Sequence, residues 1–190
     1  SDLSEASWET AVEAVVAQFG GLHILLNGAG IELVAKIPDT SLADFQKVMA
    51  VNLDGVFLGL KYAMPAMRDA GGGSIINISS LAATYGMPYA IDYATSKAAV
   101  IGMTRSLARE LGRSWIRVNA VAPSAVLTEG TNDFMGEVKD KALAVIAGNQ
   151  SLQANLTTDD MTGTIIYLAS DASKFVTGQT IMVDGGSVML

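Results

Sequence analysis

The chain has 190 residues, half of them apolar and only 16% charged, which excludes intrinsic disorder and allows one domain with a sizeable core. A net charge of −7 with no long Lys/Arg tract argues against a nucleic-acid partner, and no apolar run is long enough to span a bilayer. The absence of cysteine removes disulfides and zinc–thiolate sites and fits a cytoplasmic location.

In chain order, Leu3 to Phe19 carries apolar residues at helical spacing, with Ser4 as cap and Gly20-Gly21 as stop. The apolar run Leu22 to Leu26 predicts a strand buried on both faces, ending at Asn27-Gly28-Ala29-Gly30. Small residues at such an exit make a tight turn, and in a Rossmann-type sheet they also let a cofactor approach the backbone. A second helical region begins near Ser41, which has capping-box spacing to Asp44, and runs past Asn52 to about Asp69, with Pro65 expected to end or bend it. Ser74 to Ser80 predicts a second strand, and Tyr93 to Leu111 a long helix closed by Gly112. The basic residues Arg105, Arg109, Arg113 and Arg117 read as a solvated face partly paired with Glu110.

Ile116 to Ala122 predicts a third strand stopped by Pro123, and Glu137 to Ala147 a short helix. Thr157 with Asp160 caps a helix through Leu168, and Gln179 to Asp184 is the last strand. Strands alternating with helices predict an α/β fold with a parallel sheet and right-handed crossovers.

Tyr93 is the only tyrosine with a lysine four residues later, Lys97, so both side chains share one helical face. A phenol with a pKa near ~10 is a poor acid–base group at neutral pH, and a neighbouring ammonium pulls that value down. Ser80, at a strand's carboxyl end, can aim a hydroxyl at the same place. As an isolated pair, Tyr-x-x-x-Lys is equally a surface tyrosine and lysine.

Six motifs occur in order: Asn-Gly-Ala-Gly (27–30), Val-Asn-Leu-Asp-Gly-Val-Phe (51–57), Ile-Ile-Asn-Ile-Ser-Ser (75–80), Tyr-Ala-Thr-Ser-Lys (93–97), Ile-Arg-Val-Asn-Ala-Val-Ala-Pro (116–123) and Val-Asp-Gly-Gly (183–186). This series resembles the short-chain dehydrogenase/reductase family over the length of the chain. The resemblance implies hydride transfer between NAD or NADP and a secondary alcohol or ketone, with Tyr93 passing the proton and Lys97 acting on Tyr93 and the nicotinamide ribose. It implies that Ser80 polarises the carbonyl, Ser79 falling one residue out of register. It also places Asn52 at a helix irregularity, holding a water of a proton relay.

By the same resemblance, Asn27, Ala29 and Gly30 line the ribose side of the cofactor, Pro123, Val126 and Thr128 meet the nicotinamide carboxamide, and Asp2 faces the adenine. No metal is implied. Three positions depart from the family pattern: Gly28 and Ser124 replace Asn and Gly, and His23 stands where Asp is frequent, on a strand that reads as buried.

The family's glycine-rich Thr-Gly-x-x-x-Gly-x-Gly turn finds no match, and the first strand read here corresponds to the family's fourth. The expectation is a partial, Rossmann-like doubly wound sheet of about four strands over residues 1–190, lacking some ~60 amino-terminal residues. Strand 22–27 then becomes an apolar edge. A small-molecule substrate and a homo-oligomer through helices 41–69 and 93–111 are the expected partners. The competing reading is a truncated, catalytically silent member that serves as an interaction module. Tyr85, Met87 and Tyr89 suggest an apolar substrate pocket, with Phe134, Met135, Val138, Leu143 and Ile146 as candidate cover.

Overall fold

The computed structural model describes residues 4–128 and 139–189. Helix α1 (Glu5–Phe19) starts where the Ser4 side chain accepts the Ser7 N–H and stops at Gly20, whose left-handed φ of 79° suits glycine. Strand β1 (Ile24–Asn27) follows, then α2 (Leu42–Met49), entered through Ser41 Oγ accepting the Asp44 N–H at 3.0 Å. The helical region expected over 41–69 carries the irregularity expected at Asn52. A wider π turn at Ala50–Asp54 separates α2 from α3 (Gly55–Asp69), and Asn52 lies in that turn, fully buried.

Pro65 does not end α3, which continues to Asp69. Pro65 and Lys61, the residue whose carbonyl loses an N–H partner, both lie on the exposed side, where water can serve that carbonyl. Next come β2 (Gly73–Ile78), a short α4 (Ala82–Tyr85) absent from the sequence reading, and α5 (Ile91–Leu111). Gly112 closes α5 as expected, but not as a left-handed cap. It keeps right-handed geometry through a 3-10 turn, and Trp115, at φ 55°, takes the left-handed position.

The remaining elements are β3 (Ile116–Pro123), β4 (Val126–Leu127), α6 (Lys139–Gly148), β5 (Leu156–Thr157), α7 (Thr158–Ala169) and β6 (Thr180–Val183). Thr157 and Asp160 form the expected capping box of α7.

The four-stranded sheet has the order β1-β2-β3-β6 and every pairing is parallel, with Leu25 opposite Ile75, Ile75 opposite Val118 and Val121 opposite Ile181. The short β4 and β5 pair with each other outside it. Alternating residues point to opposite faces, so two cores form. Ile75 and Val118 meet Leu60, Met67, Val100 and Leu111 from α3 and α5, while Ile76 and Val121 meet Met161 and Leu168 from α7. Helices thus cover both faces of an α/β Rossmann-like parallel sheet.

Readings of two residues and one strand change. His23 is exposed and contributes its backbone carbonyl, which accepts the Ser74 N–H at 2.8 Å. Arg117 is half-buried and donates to the carbonyls of Leu168 and Ser170 at 2.8 and 3.3 Å, so it serves the end of α7 instead of a solvated face. Strand β1 is not buried on both faces, because Ile24 and Leu26 are 49% and 47% exposed. Among the described residues no helix is long and apolar enough to cross a membrane.

Candidate active site

The carboxyl ends of β1, β2 and β3 lie side by side, and the polar residues that follow them gather with the start of α5. Ser79 and Ser80 leave β2 in opposite directions. Ser79 Oγ donates to the Lys97 carbonyl at 2.9 Å and pins α5 to the strand. Ser80 accepts the Ala82 N–H at 3.1 Å, and its side chain acts on the Tyr93 phenol, lowering its pKa. The thirteen-residue register therefore brings Ser80, not Ser79, against the phenol.

Lys97 is 3% exposed and its Nζ lies 5.7 Å from the centre of the Tyr93 ring. Its hydrogen bond goes to the Ile78 carbonyl at 2.9 Å, at the end of β2. Burial pulls the ammonium down to about 8. Burial also pushes the Tyr93 phenol above its ordinary value; the Ser80 side chain opposes that push and Glu32 adds to it.

Asn52 uses its amide fully within the protein. Its Oδ1 accepts the Ile31 N–H at 2.8 Å, and its Nδ2 donates to the Ile31 carbonyl at 2.9 Å and to Ser96 Oγ at 3.0 Å. Ser96 in turn donates to the Tyr93 carbonyl at 2.7 Å. The π turn, the loop after β1 and the first turn of α5 are thereby held as one unit. Gly30 belongs to the same unit: a Cβ there would stand 3.2 Å from Lys97 Nζ and 3.4 Å from Asn52 Oδ1.

Asn27 is directed into the sheet, where its Nδ2 donates to Asn77 Oδ1 at 2.9 Å, and it joins Gly28 and Ala29 around a hollow of about 90 Å³ beside Trp8 and Val51. Ala29 and Gly30 are exposed. Pro123 ends β3, with its carbonyl accepting the Leu81 N–H at 2.9 Å, while Val126 and Thr128 lie at β4, away from the Tyr93 turn in sequence and pairing. Ser124 is 8% exposed, and its hydroxyl has no hydrogen-bond partner among the described residues.

Asp2, Phe134, Met135 and Val138 lie outside the described residues. Leu143 is buried and Ile146 half-buried in α6. Tyr85, Met87 and Tyr89 are all exposed, and only Tyr89 lines the open groove of about 360 Å³ between the two loops, with Ala35, Ile37, Pro88 and Ile91. That groove flanks the Tyr93 centre without containing it. Sequence reasoning missed Ser96 and Glu32. A carboxyl inside the run Ile31-Glu32-Leu33-Val34 was the available signal for Glu32.

A family model described as Enoyl-(Acyl carrier protein) reductase matches residues 3–188. The chain is 42% identical over 183 residues to a 3-alpha-(or 20-beta)-hydroxysteroid dehydrogenase of Mycobacterium tuberculosis, covering 96% of this chain and 67% of that protein. It is 39% identical over 178 residues to the 3-oxoacyl-[acyl-carrier-protein] reductase FabG of Staphylococcus aureus, covering 94% of this chain and 71% of that one. Among solved structures, a gluconate 5-dehydrogenase from Burkholderia cenocepacia in complex with NADP and tartrate superposes with a TM-score of 0.90 at 32% identity, covering 97% of this chain and 72% of that chain. The fold and the ordered strand-end residues thus define an α/β oxidoreductase. The chain belongs to the short-chain dehydrogenase/reductase family.

Proposed function

We propose that the protein interconverts a secondary alcohol and a ketone, with Tyr93 as proton donor and acceptor. The observation that carries this reading is the buried Lys97 ammonium 5.7 Å from the Tyr93 ring, at the end of the strand that carries Ser80. Bound beside that cluster, a nicotinamide dinucleotide would supply or accept the hydride. Two features suit such a cofactor. Gly30 leaves the space next to Lys97 Nζ open, and the buried Ser124 hydroxyl at the end of β3 still lacks a hydrogen-bond partner among the described residues.

In reduction, Ser80 holds the substrate oxygen and Tyr93 gives its proton to that oxygen as negative charge develops there. In oxidation the Tyr93 oxygen takes the proton from the alcohol. Lys97 stabilises the phenolate in both directions, and Asn52 keeps the loop after β1 and the first turn of α5 in register. The relatives named above are a hydroxysteroid dehydrogenase and a 3-oxoacyl-[acyl-carrier-protein] reductase, so a hydroxysteroid and a 3-oxoacyl-[acyl-carrier-protein] are both substrates to assay.

Titration of the purified chain with NADH and NADPH, followed by nicotinamide fluorescence, should show saturable binding of at least one. Tyr93→Phe should lower turnover by at least ~100-fold while sparing affinity. Absent binding, or turnover kept in Tyr93→Phe, would overturn the reading.

A further inference from the structure

The loop after β1 carries a carboxyl into this centre that the chemistry above does not use. Asn52 clamps the loop by taking the Ile31 N–H at 2.8 Å and donating to the Ile31 carbonyl at 2.9 Å. The backbone of the next residue, Glu32, is therefore held beside α5. Glu32 Oε1 is buried and makes no hydrogen bond among the described residues.

The groups around it are acidic. Asp92, 2% exposed at the start of α5, acts on Glu32 directly, and its Oδ1 is fixed by accepting the Tyr93 N–H at 2.7 Å. Glu32 also acts on the Tyr93 phenol. Asn52, from the π turn, is neutral. Lys97, one helical turn beyond Tyr93, directs its Nζ to the Ile78 carbonyl. Two carboxyls sharing a water-poor site do not both ionise readily. Burial first, and Asp92 second, push Glu32 up to about 7.

We propose that Glu32 is a positioning residue that sets the charge felt by the Tyr93 oxygen. Neutral Glu32 leaves phenolate formation to Lys97 and Ser80; ionised Glu32 opposes it. The inference rests on Tyr93 being the proton-transfer group. Its consequence is directional. Alcohol oxidation needs the phenolate, so ionised Glu32 moves the onset of oxidation to higher pH, while ketone reduction, which needs the protonated phenol, is protected over the same range.

The test reads Tyr93 itself. Ultraviolet titration of tyrosinate, taken as the difference between the full chain and its Tyr93→Phe variant, isolates this phenol. The same difference is then taken with Glu32→Gln in both partners. The Tyr93 midpoint should move to lower pH, giving roughly a threefold larger phenolate fraction at a fixed pH below the midpoint. Carboxyl NMR should place the Glu32 midpoint near 7, and Asp92→Asn should lower it. Asn at position 92 keeps an acceptor for the Tyr93 N–H, so this second arm decides the matter if Glu32→Gln does not fold. An unmoved Tyr93 midpoint in Glu32→Gln, or a Glu32 that titrates as an ordinary carboxylate, overturns the proposal. Turnover retained by Tyr93→Phe would instead overturn the proton-transfer reading, a separate result because the phenol titration needs no turnover.

Discussion

Strands β1 and β2 are written in a similar apolar alphabet, Ile24-Leu25-Leu26 beside Ser74-Ile75-Ile76, and pair residue for residue. In β2 all three of the latter are buried, with Ile75 in one core and Ile76 in the other. In β1, Ile24 and Leu26 are about half exposed, and only Leu25 reaches a core. An apolar run reports that a strand prefers to be covered; whether it is covered depends on which elements pack over it. The chemistry follows the same division. The end of β2 supplies Ser80, the Ser79 anchor and the Ile78 carbonyl to a buried centre, while the end of β1 supplies an exposed loop held in place by Asn52.

The strongest test of this contrast compares truncations across the pair. Ile76→Ala should cost about 3–4 kcal/mol in chemical denaturation, whereas Leu26→Ala should cost less than about 1 kcal/mol. Equal costs would show that the two strands are equally buried in solution.

Lys97 extends the contrast to charge. Its folded value of about 8 lies below the ordinary lysine value, so the unfolded chain binds more protons between the two. Stability should therefore carry the full penalty below about pH 8 and recover as pH rises through that window. Lys97→Met should raise stability at pH 7 by on the order of 3 kcal/mol while turnover is lost, which denaturation at pH 7 and 10 together with an activity assay would check.

Gly30→Ala is the mildest probe, on the β1 side. Its new methyl meets the flexible end of Lys97, so stability should change by less than about 1 kcal/mol while turnover falls roughly tenfold. Unchanged turnover would mean that the β1 loop does not tune the centre.

What was legible in the sequence was local chemistry. Ser4, Ser41 and the Thr157–Asp160 box cap their helices, and apolar periodicity located the four strands of the main sheet to within about two residues, though not β4 and β5. The choice of Ser80 over Ser79 came from the family resemblance, which expects the serine thirteen residues before Tyr93. What was illegible depends on contacts distant in sequence. Pro65 is tolerated because its side of α3 is exposed, and Arg117 turns to α7 from fifty-odd residues away. Glu32 and Ser96 matter only because the π turn at Asn52 draws the loop after β1 against α5.

One side-chain relay crosses the division between the two strands. Asn27 Nδ2 donates to Asn77 Oδ1 at 2.9 Å, and Asn77 Nδ2 donates to Thr104 Oγ1 at 3.0 Å, so edge strand, inner strand and long helix share a single line of amides. Thr104 stands eleven residues beyond Tyr93, about three turns down the same helix. The relay acts as a longitudinal stop: sliding that helix by one residue's rise would break the Thr104 link and carry the phenol past Ser80. A change at position 27 should thus reach the Tyr93 phenol by altering its depth, without touching it.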